Sequence, residues 1–428
     1  MRKTSTWASL LLLLFVQGSS WAEEVQVNSY TTGRQQQARV AVSSEGHGLV
    51  VWRNEASQDG DDSGIFARRF DSTGQPVGME FQVNSYTTGA QGNPAVTTIQ
   101  LPSSLEEGGA SEQFVVVWSG EGPGDDVGVF GRSIGLDGVP LGDTFPIRVD
   151  PMSPQGPPGI DAMGVGEFAV LWGNEGEDSW SGQRFDASAV PMGAGFGVEN
   201  LGEEIPKIRS RDSGEFVVVW GDGLTDPYYP DSDRVRVRAA TFDAADQETG
   251  QFLLFNSVQY GNRLEHLDLA IKDSGSDFVV VWGRSTESSS YFAEGLVFDE
   301  STGTPGPVVD FRPLGFEEYQ PIVTPRPDGR FLVIWGSEGT PAPNGVIGRQ
   351  FLDDLSPSGP RFQISSPVAS GQEGPDMVYD APRDQAFVVW SRITPGDSDY
   401  GVFLTQVRPL LSDGFETGDL SQWSSSSP

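Results

Sequence analysis

The sequence predicts an all-β protein, a seven-bladed β-propeller made of four-stranded antiparallel blades. The first observation is a repeat, because seven runs of apolar, mostly β-branched residues end in tryptophan at spacings of 66, 54, 48, 62, 53 and 55 residues. The second is the content of 54 glycines and 30 prolines, which would interrupt long helices. A period of this size, built from short strands, is typical of a propeller. The repeat-core tryptophans are Trp52, Trp118, Trp172, Trp220, Trp282, Trp335 and Trp390.

Each repeat contains four short segments rich in Val, Ile, Phe and Thr and bounded by Gly, Pro, Asp or Ser, which is the pattern of strands and turns. In the first repeat the second, third and fourth segments are residues 49–52, 64–71 and 80–84. The apolar residues of the second segment are consecutive rather than alternating. This pattern predicts a strand covered on both faces, as in blades stacked face to face. We expect each tryptophan to pack against a neighbouring blade.

The beginning of the chain predicts how the ring closes. Residues 26–33 are identical to residues 82–89, which form the fourth strand of one repeat and the entry to the next. The chain therefore starts with a fourth strand that has no preceding repeat, while the last repeat has no obvious fourth strand. We expect the N-terminal strand to join the last blade and to remove the unpaired edges that an open ring would expose.

Residues 1–22 have the pattern of a secretory signal peptide. Arg2 and Lys3 precede the apolar run 10–16, and a small-residue cleavage site ends at Ala22. The predicted propeller spans residues 23–409, and residues 410–428 form a tail that we expect to be disordered. No stretch reaches the roughly 18 apolar residues of a membrane helix. The sequence thus predicts a protein exported to the periplasm, the cell surface or the medium.

The charge and the rare residue types exclude several classes of function. The net charge is −33, and removal of the signal peptide leaves 25 basic against 60 acidic residues, a charge of −35. Such a chain repels nucleic acid and anionic lipid. There is no cysteine, and His47 and His266 lie in different repeats, which excludes a His/Cys zinc site. We find no serine nucleophile elbow, phosphate-binding glycine loop or zincin motif.

Acidic, glycine-containing loops recur between the second and third segments of several repeats. Calcium prefers six to eight oxygen ligands, and glycine lets carbonyl oxygens turn towards an ion. The recurrence indicates a candidate calcium site, although none of these loops matches the EF-hand pattern and solvated loops have the same composition. The candidate ligands are Asp59, Asp61, Asp62, Asp125, Asp126, Asp397 and Asp399. We expect no other cofactor.

Tyr228 and Tyr229 form an aromatic pair between two prolines on a predicted long loop. Paired aromatic rings of this kind can stack on a glycan or contact a protein partner. The alternative is ordinary packing within the loop.

The repeat itself resembles a known group of proteins. The pattern begins with residues 80–89 and 94–96 and continues with Phe-Val-Val-Val-Trp. It ends with a third segment, of which residues 64–71 are the example in the first repeat. It is similar to repeats of secreted bacterial β-propeller proteins, and the resemblance covers residues 24–408. Some of those proteins also carry calcium-binding or adhesion modules. The resemblance implies the fold and no particular activity.

The sequence favours a non-catalytic binding or interaction propeller whose partner is an unknown protein or glycan. One alternative is a polysaccharide-acting hydrolase that uses two carboxylates near the central channel. Another is a structural scaffold stabilised by calcium. The sequence leaves the oligomeric state open and is compatible with a monomer.

Overall fold

The computed structural model describes residues 24–103, 111–148, 156–174, 179–199, 206–226, 229–257, 263–272, 275–286, 291–311, 317–338, 345–366, 372–393 and 399–408. The predicted signal peptide and C-terminal tail lie outside these ranges. Within them the chain forms 29 β-strands and one 3-10 turn, Ala381–Arg383. No helix in this part of the chain is long and apolar enough to cross a membrane.

The strands form seven antiparallel sheets, one for each predicted blade, and the all-β seven-bladed propeller is confirmed. Blade 1 contains β2 (Gln35–Val42), β3 (Gly48–Asn54), β4 (Gly64–Phe70) and β5 (Pro76–Gln82). Blade 2 contains β6 (Gln91–Gln100), β7 (Glu112–Gly122), β8 (Asp125–Gly135) and β9 (Phe145–Arg148). Blade 3 contains β10 (Gly159–Ala162), β11 (Glu167–Asn174), β12 (Ser179–Asp186) and β13 (Pro191–Glu199). Blade 4 contains β14 (Lys207–Ser210), β15 (Phe216–Asp226), β16 (Tyr229–Phe242) and β17 (Glu248–Asn256).

The remaining blades follow the same order, with short outer strands in blades 5 and 6. Blade 5 contains β18 (Arg263–Ile271), β19 (Phe278–Ser285), β20 (Tyr291–Asp299), β21 (Thr304–Pro305) and β22 (Val309–Asp310). Blade 6 contains β23 (Glu317–Pro325), β24 (Phe331–Glu338), β25 (Gly345–Phe351) and β26 (Phe362–Gln363). Blade 7 contains β27 (Gln372–Asp380), β28 (Gln385–Ile393), β29 (Tyr400–Val407) and the N-terminal β1 (Val25–Gln26).

The second strand of each blade is buried on both faces, and the apolar core lies between blades. In β3, Val50 and Trp52 pack with Phe387 of blade 7. The alternate residue Val51 packs on the other side with Phe114 of blade 2. Seven such clusters fill the seven interfaces around the ring. Consecutive apolar residues in these strands are therefore required, because each face has its own neighbour.

The ring closes as the repeated segment predicts. β1 pairs antiparallel with β29, with Val25 opposite Leu404 and Gln26 opposite Phe403. The next residue, Val27, donates its N–H to the carbonyl of Val402 at 2.8 Å. Blade 7 thus takes one strand from the start of the chain and three from its end. The first strands of the blades face the centre of the ring, where they surround a cavity.

Candidate functional site

Asp61 lies in the acidic loop between β3 and β4, and its carboxylate holds the entry to the next blade. The N–H of Gly89 donates to Asp61 Oδ2 at 2.9 Å. Gly89 has a φ of +70°, a left-handed conformation that favours glycine. In the same loop Asp59 Oδ1 accepts the N–H of Asp61 at 3.4 Å, and Asp62 is exposed.

The same contact recurs in blade 7. The N–H of Gly33 donates to Asp399 Oδ2 at 2.9 Å. Gly33, with a φ of +71°, holds the same place in residues 26–33 as Gly89 does in residues 82–89. Two of the candidate calcium ligands therefore act as hydrogen-bond acceptors for the chain that connects consecutive blades.

The structure describes the other candidate calcium ligands and the tyrosine pair only in part. Asp125 and Asp126 begin β8, immediately after a tight turn that follows β7, so they lie in a strand rather than in a loop, and their side chains are outside the described part of the chain. Asp397 and Tyr228 also lie outside it, and Tyr229 begins β16 with its side chain undescribed. Among the described residues no three His, Asp or Glu side chains come together to hold a metal ion. The calcium site and the aromatic pair stay predictions.

The seven repeat tryptophans are buried in the interfaces between blades, with exposures between 0% and 5%. Trp52, Trp220 and Trp282 each pack in the cluster shared with the preceding blade. Their environments differ in one respect. Trp52 Nε1 donates to Gln35 at 3.2 Å and Trp282 Nε1 donates to Glu294 at 3.0 Å, whereas Trp220 Nε1 has no partner among the described residues.

A cavity with a volume of about 430 Å³ lies at the centre of the ring. It is lined by the first strands of six blades, β2, β6, β10, β14, β23 and β27. A volume of this size can hold a small ligand such as a monosaccharide or an amino acid. The cavity is the candidate functional site because charged side chains from separate blades meet there.

Four charged residues occupy one level of the channel. Each belongs to a first strand and lies opposite the residue immediately before the tryptophan of its blade. They are Arg39, Lys207, Asp268 and Asp376, opposite Val51, Val219, Val281 and Val389. Asp161 and Arg209 lie two residues further along their strands, opposite Ala169 and Val217. Five of these six residues, three cations and two carboxylates, line the cavity, whereas Asp268 is buried and is not part of its lining.

The three carboxylates join three of the seven pairs of neighbouring blades. Asp376 Oδ2 accepts the N–H of Val40 at 2.9 Å, joining blade 7 to blade 1. Asp268 Oδ2 accepts the N–H of Val323 at 3.0 Å, joining blade 5 to blade 6. Asp161 accepts the N–H of Ser210 at 2.8 Å, joining blade 3 to blade 4. Inner strands have free edge N–H groups at the channel, and these carboxylates satisfy them.

The channel cations use fewer of their N–H donors in hydrogen bonds and ion pairs. Arg209 pairs with Asp268 at 3.4 Å and donates to the carbonyl of Ile208 at 2.9 Å. Arg39 donates to the carbonyl of Ala38 at 2.9 Å. The ammonium group of Lys207 has no hydrogen bond or ion pair with any described residue.

Burial sets the proton affinities in the channel. It raises the pKa of Asp161, and Arg209 only partly offsets that effect. Burial lowers the pKa of Lys207, with Asp268 acting in the opposite direction. Burial also lowers the pKa of His266 in β18 well below its ordinary value, and the positive charges of Lys207 and Arg39 lower it further. His266 is therefore uncharged at neutral pH.

None of these channel residues belongs to a motif that the sequence singles out. The signal that finds them is positional, because a charged residue in a first strand recurs at a fixed register to the tryptophan of the second strand. Only an alignment of the strand pairs makes it visible, since bulges shift the register ahead of Arg39, Asp268 and Asp376.

The chain matches no protein-family model and no curated protein. Among solved structures it is similar to a protein of unknown function from Dyadobacter fermentans, with 12% identity, a TM-score of 0.54 and coverage of 91% of this chain and 98% of that one. It is also similar to the α-L-arabinofuranosidase Arb93A from Fusarium graminearum, with 12% identity, a TM-score of 0.47 and coverage of 91% and 98%. A mutant of the NanB sialidase from Streptococcus pneumoniae gives 10% identity, a TM-score of 0.47 and coverage of 91% and 71%. At these identities the likeness shows the propeller fold alone.

Proposed function

We propose that this protein is an exported, non-catalytic propeller that binds a small ligand, or one end of a larger glycan or protein, in the cavity at the centre of the ring. Export rests on the predicted signal peptide. The binding proposal rests on one observation, the hydrogen bonds that the channel carboxylates Asp161, Asp268 and Asp376 accept from the neighbouring blades.

This observation favours binding over hydrolysis. A glycosidase needs two carboxyl groups on opposite sides of the bond to be cleaved, one to give a proton and one to attack or to activate water. Asp161 and Asp376, the two of these carboxylates that line the cavity, each hold an N–H of the next blade with Oδ2. A carboxylate fixed in this way stabilises the ring and is poorly placed to take a proton from a substrate.

The second candidate, a polysaccharide-acting hydrolase, is favoured by one feature of the channel. Burial raises the pKa of Asp161, which is the property required of a general acid. In that reading Asp161 would protonate the leaving group and Asp376 would be the second carboxylate.

A screen of acidic and neutral glycans and peptides separates the two readings. Binding is measured calorimetrically and hydrolysis by the release of new reducing ends. We expect binding without hydrolysis, and we expect Thr97→Trp, which places an indole in the cavity, to weaken it at least about tenfold. Val139→Trp is the matched control because Val139 is exposed on blade 2, away from the cavity.

Two results would contradict the proposal. Binding that survives Thr97→Trp would locate the site on another surface. Release of reducing ends that is lost in Asp161→Asn would establish the hydrolase instead.

A further inference from the structure

Lysine is rare in this chain, and one of its lysines lines the central cavity. The sequence contains Lys3, Lys207 and Lys272. Lys272 forms an ion pair with Asp277 at 3.6 Å. Lys207 is half-buried in the cavity wall, and its ammonium group makes no hydrogen bond or ion pair within the described ranges. An ammonium group has three N–H donors, so Lys207 has donors available to a ligand.

Arg39 supplies a second cation at the same level of the ring. It lies in blade 1 at the register that Lys207 occupies in blade 4, and both side chains line the cavity. In the part of the chain that the structure describes, the one hydrogen bond of its guanidinium goes to the carbonyl of Ala38. A guanidinium has five N–H donors, so Arg39 also keeps donors for a ligand.

A buried imidazole in blade 5 also lacks a partner, but it lies outside the cavity wall. His266 Nε2 is buried and has no hydrogen bond to the described residues. His266 lies two residues before Asp268 in β18, a strand that does not line the cavity. The unused donors in the cavity wall are thus those of Lys207 and Arg39.

The acceptors in the channel, unlike these donors, already have hydrogen-bond partners. The carboxylates of Asp161, Asp268 and Asp376 already accept N–H groups from the next blade. A cationic ligand would have to share the carboxylates of Asp161 and Asp376 with the N–H groups that they hold. An anionic ligand instead meets donors of Lys207 and Arg39 that have no other partner among the described residues, and this favours an anion.

We propose that the cavity binds the carboxylate group of a monoanionic ligand, such as a uronic acid or an amino acid, between Lys207 and Arg39. This inference rests on the proposed channel-binding function and adds the chemistry of the ligand. A dianion such as sulfate is disfavoured because Asp161 and Asp376 line the same cavity.

Binding of the carboxylate is coupled to the protonation of Lys207. Burial, together with the charges of Arg39 and Arg209, lowers the pKa of Lys207, while Asp268 and Asp376 raise it. A bound carboxylate favours the charged ammonium and raises this pKa again. Affinity is therefore highest below the pKa of Lys207 in the free protein, and it decreases as the pH rises through the higher pKa of the complex.

The experiment uses the full chain labelled with ¹³C,¹⁵N-lysine, which gives three lysine side-chain signals. Lys207→Arg and Lys272→Arg variants assign them. The Nζ signals are titrated with pH in 100 mM sodium acetate, sodium sulfate and sodium chloride. We expect acetate, relative to chloride, to raise the titration midpoint of Lys207 by about one pH unit, the shift typical of one close opposite charge. The midpoint of Lys272 should not change between the three salts.

D-galacturonate and D-galactose, which differ in a carboxylate and a hydroxymethyl group, provide the second probe. Galacturonate should raise the Lys207 midpoint as acetate does, and galactose should leave it unchanged. Lys207→Met should weaken galacturonate binding at least about tenfold, whereas Lys272→Met should not alter it.

A Lys207 midpoint that is the same in acetate and chloride would overturn the inference, as would a sulfate effect equal to that of acetate. If Lys207 did not respond while a neutral ligand bound in a Thr97-dependent manner, the anion inference would fail and the channel-binding function would stand. A further outcome is that acetate raises the Lys207 midpoint but Thr97→Trp weakens none of the binding found in the screen. In that case the proposed function would fail while the carboxylate site remained.

Discussion

The N–H of Val402 donates to Asn28 Oδ1 at 2.8 Å, which joins two residues that are 374 positions apart in the chain. An equivalent hydrogen bond, from the N–H of Ile65 to Asn84 Oδ1, has the same length and lies within one continuous blade. The repeated segment thus makes one interaction twice, once inside blade 1 and once across the closure of the ring. The pair allows the effect of closure to be separated from the strength of the hydrogen bond.

Deletion of residues 24–30 should lower the stability of the protein sharply. The deletion removes β1, the Asn28 hydrogen bond, the ion pair between Glu24 and Arg392, and the hydrogen bond from Arg68 to the carbonyl of Val27. It also exposes the edge of β29. The measurement is a thermal melt of the deleted and the full chain. A melting temperature within a degree or two of the full chain would show that closure is dispensable.

The single substitutions Asn28→Ala and Asn84→Ala provide the control. Each leaves a buried N–H without its acceptor, at a cost of about 1–3 kcal/mol in the free energy of unfolding. Denaturant titration should give similar values for both, and the deletion should exceed either. A deletion no worse than Asn28→Ala would mean that one hydrogen bond, rather than the strand, holds the closure.

Much of this architecture is readable in the sequence because the repeat carries it. Consecutive apolar residues in each second strand predict burial on both faces, and the identity of residues 26–33 and 82–89 predicts the closure. Strand positions follow from the same pattern, since each second strand ends close to its tryptophan. Local composition and the period of the repeat determine these features.

The channel was not predictable in the same way. Arg39, Lys207 and Asp376 come together only because bulges and blade geometry place three separate first strands around one axis. Nor did the sequence indicate that Asp61 accepts a backbone N–H from the next blade. The composition of an acidic loop is the same for a calcium ligand and for a hydrogen-bond acceptor, and only the position of Gly89 separates the two roles.

Asp61 should stabilise the junction between blades 1 and 2 as a hydrogen-bond acceptor. Asp61→Ala should lower the free energy of unfolding by about 1 kcal/mol, because the N–H of Gly89 loses its partner at a partly solvated site. Asp61→Asn keeps an acceptor oxygen and should cost less. Thermal melts with EDTA, calcium and magnesium test the calcium prediction on the same variants. A calcium-specific rise in melting temperature that Asp61→Asn abolishes would establish Asp61 as an ion ligand.

The tryptophans should differ in what their indole N–H groups contribute. Trp220→Ala should cost about 3–5 kcal/mol because it leaves a large cavity between blades 3 and 4. Trp282→Phe should cost about 1–3 kcal/mol more than Trp220→Phe, since Glu294 loses the donor Trp282 Nε1 while Trp220 Nε1 has no described partner to lose. Denaturant titration measures all three. A cost below 1 kcal/mol for Trp220→Ala would refute its role in the core, and equal costs of the two phenylalanine variants would contradict the hydrogen-bond argument.

Glu318 should make stability depend on pH between about 4.5 and 7. Its side chain is fully buried, and burial raises the pKa from 4.5 to about 7 even though Arg361 lies 2.5 Å away and acts in the opposite direction. Burial prevails because the charged form loses its hydration. Below pH 4.5 the carboxyl is protonated in both the folded and the unfolded chain. Above it the unfolded chain releases the proton first, so stability falls as the pH rises towards 7, by on the order of 3 kcal/mol.

Glu318→Gln removes this titration and keeps the size of the side chain. The free energy of unfolding of the wild type should therefore decrease relative to that of Glu318→Gln as the pH rises from 4.5 to 7, and the difference should be constant above pH 7. Denaturant titrations at half-unit pH steps measure it. Asp299→Asn is a useful control because Asp299 is partly exposed and hydrogen bonds donated by Ser301 and Thr302 lower its pKa, so its contribution acts below pH 4. If the free energy of unfolding of the wild type instead increased relative to that of Glu318→Gln as the pH rose, the ion pair with Arg361 would outweigh burial.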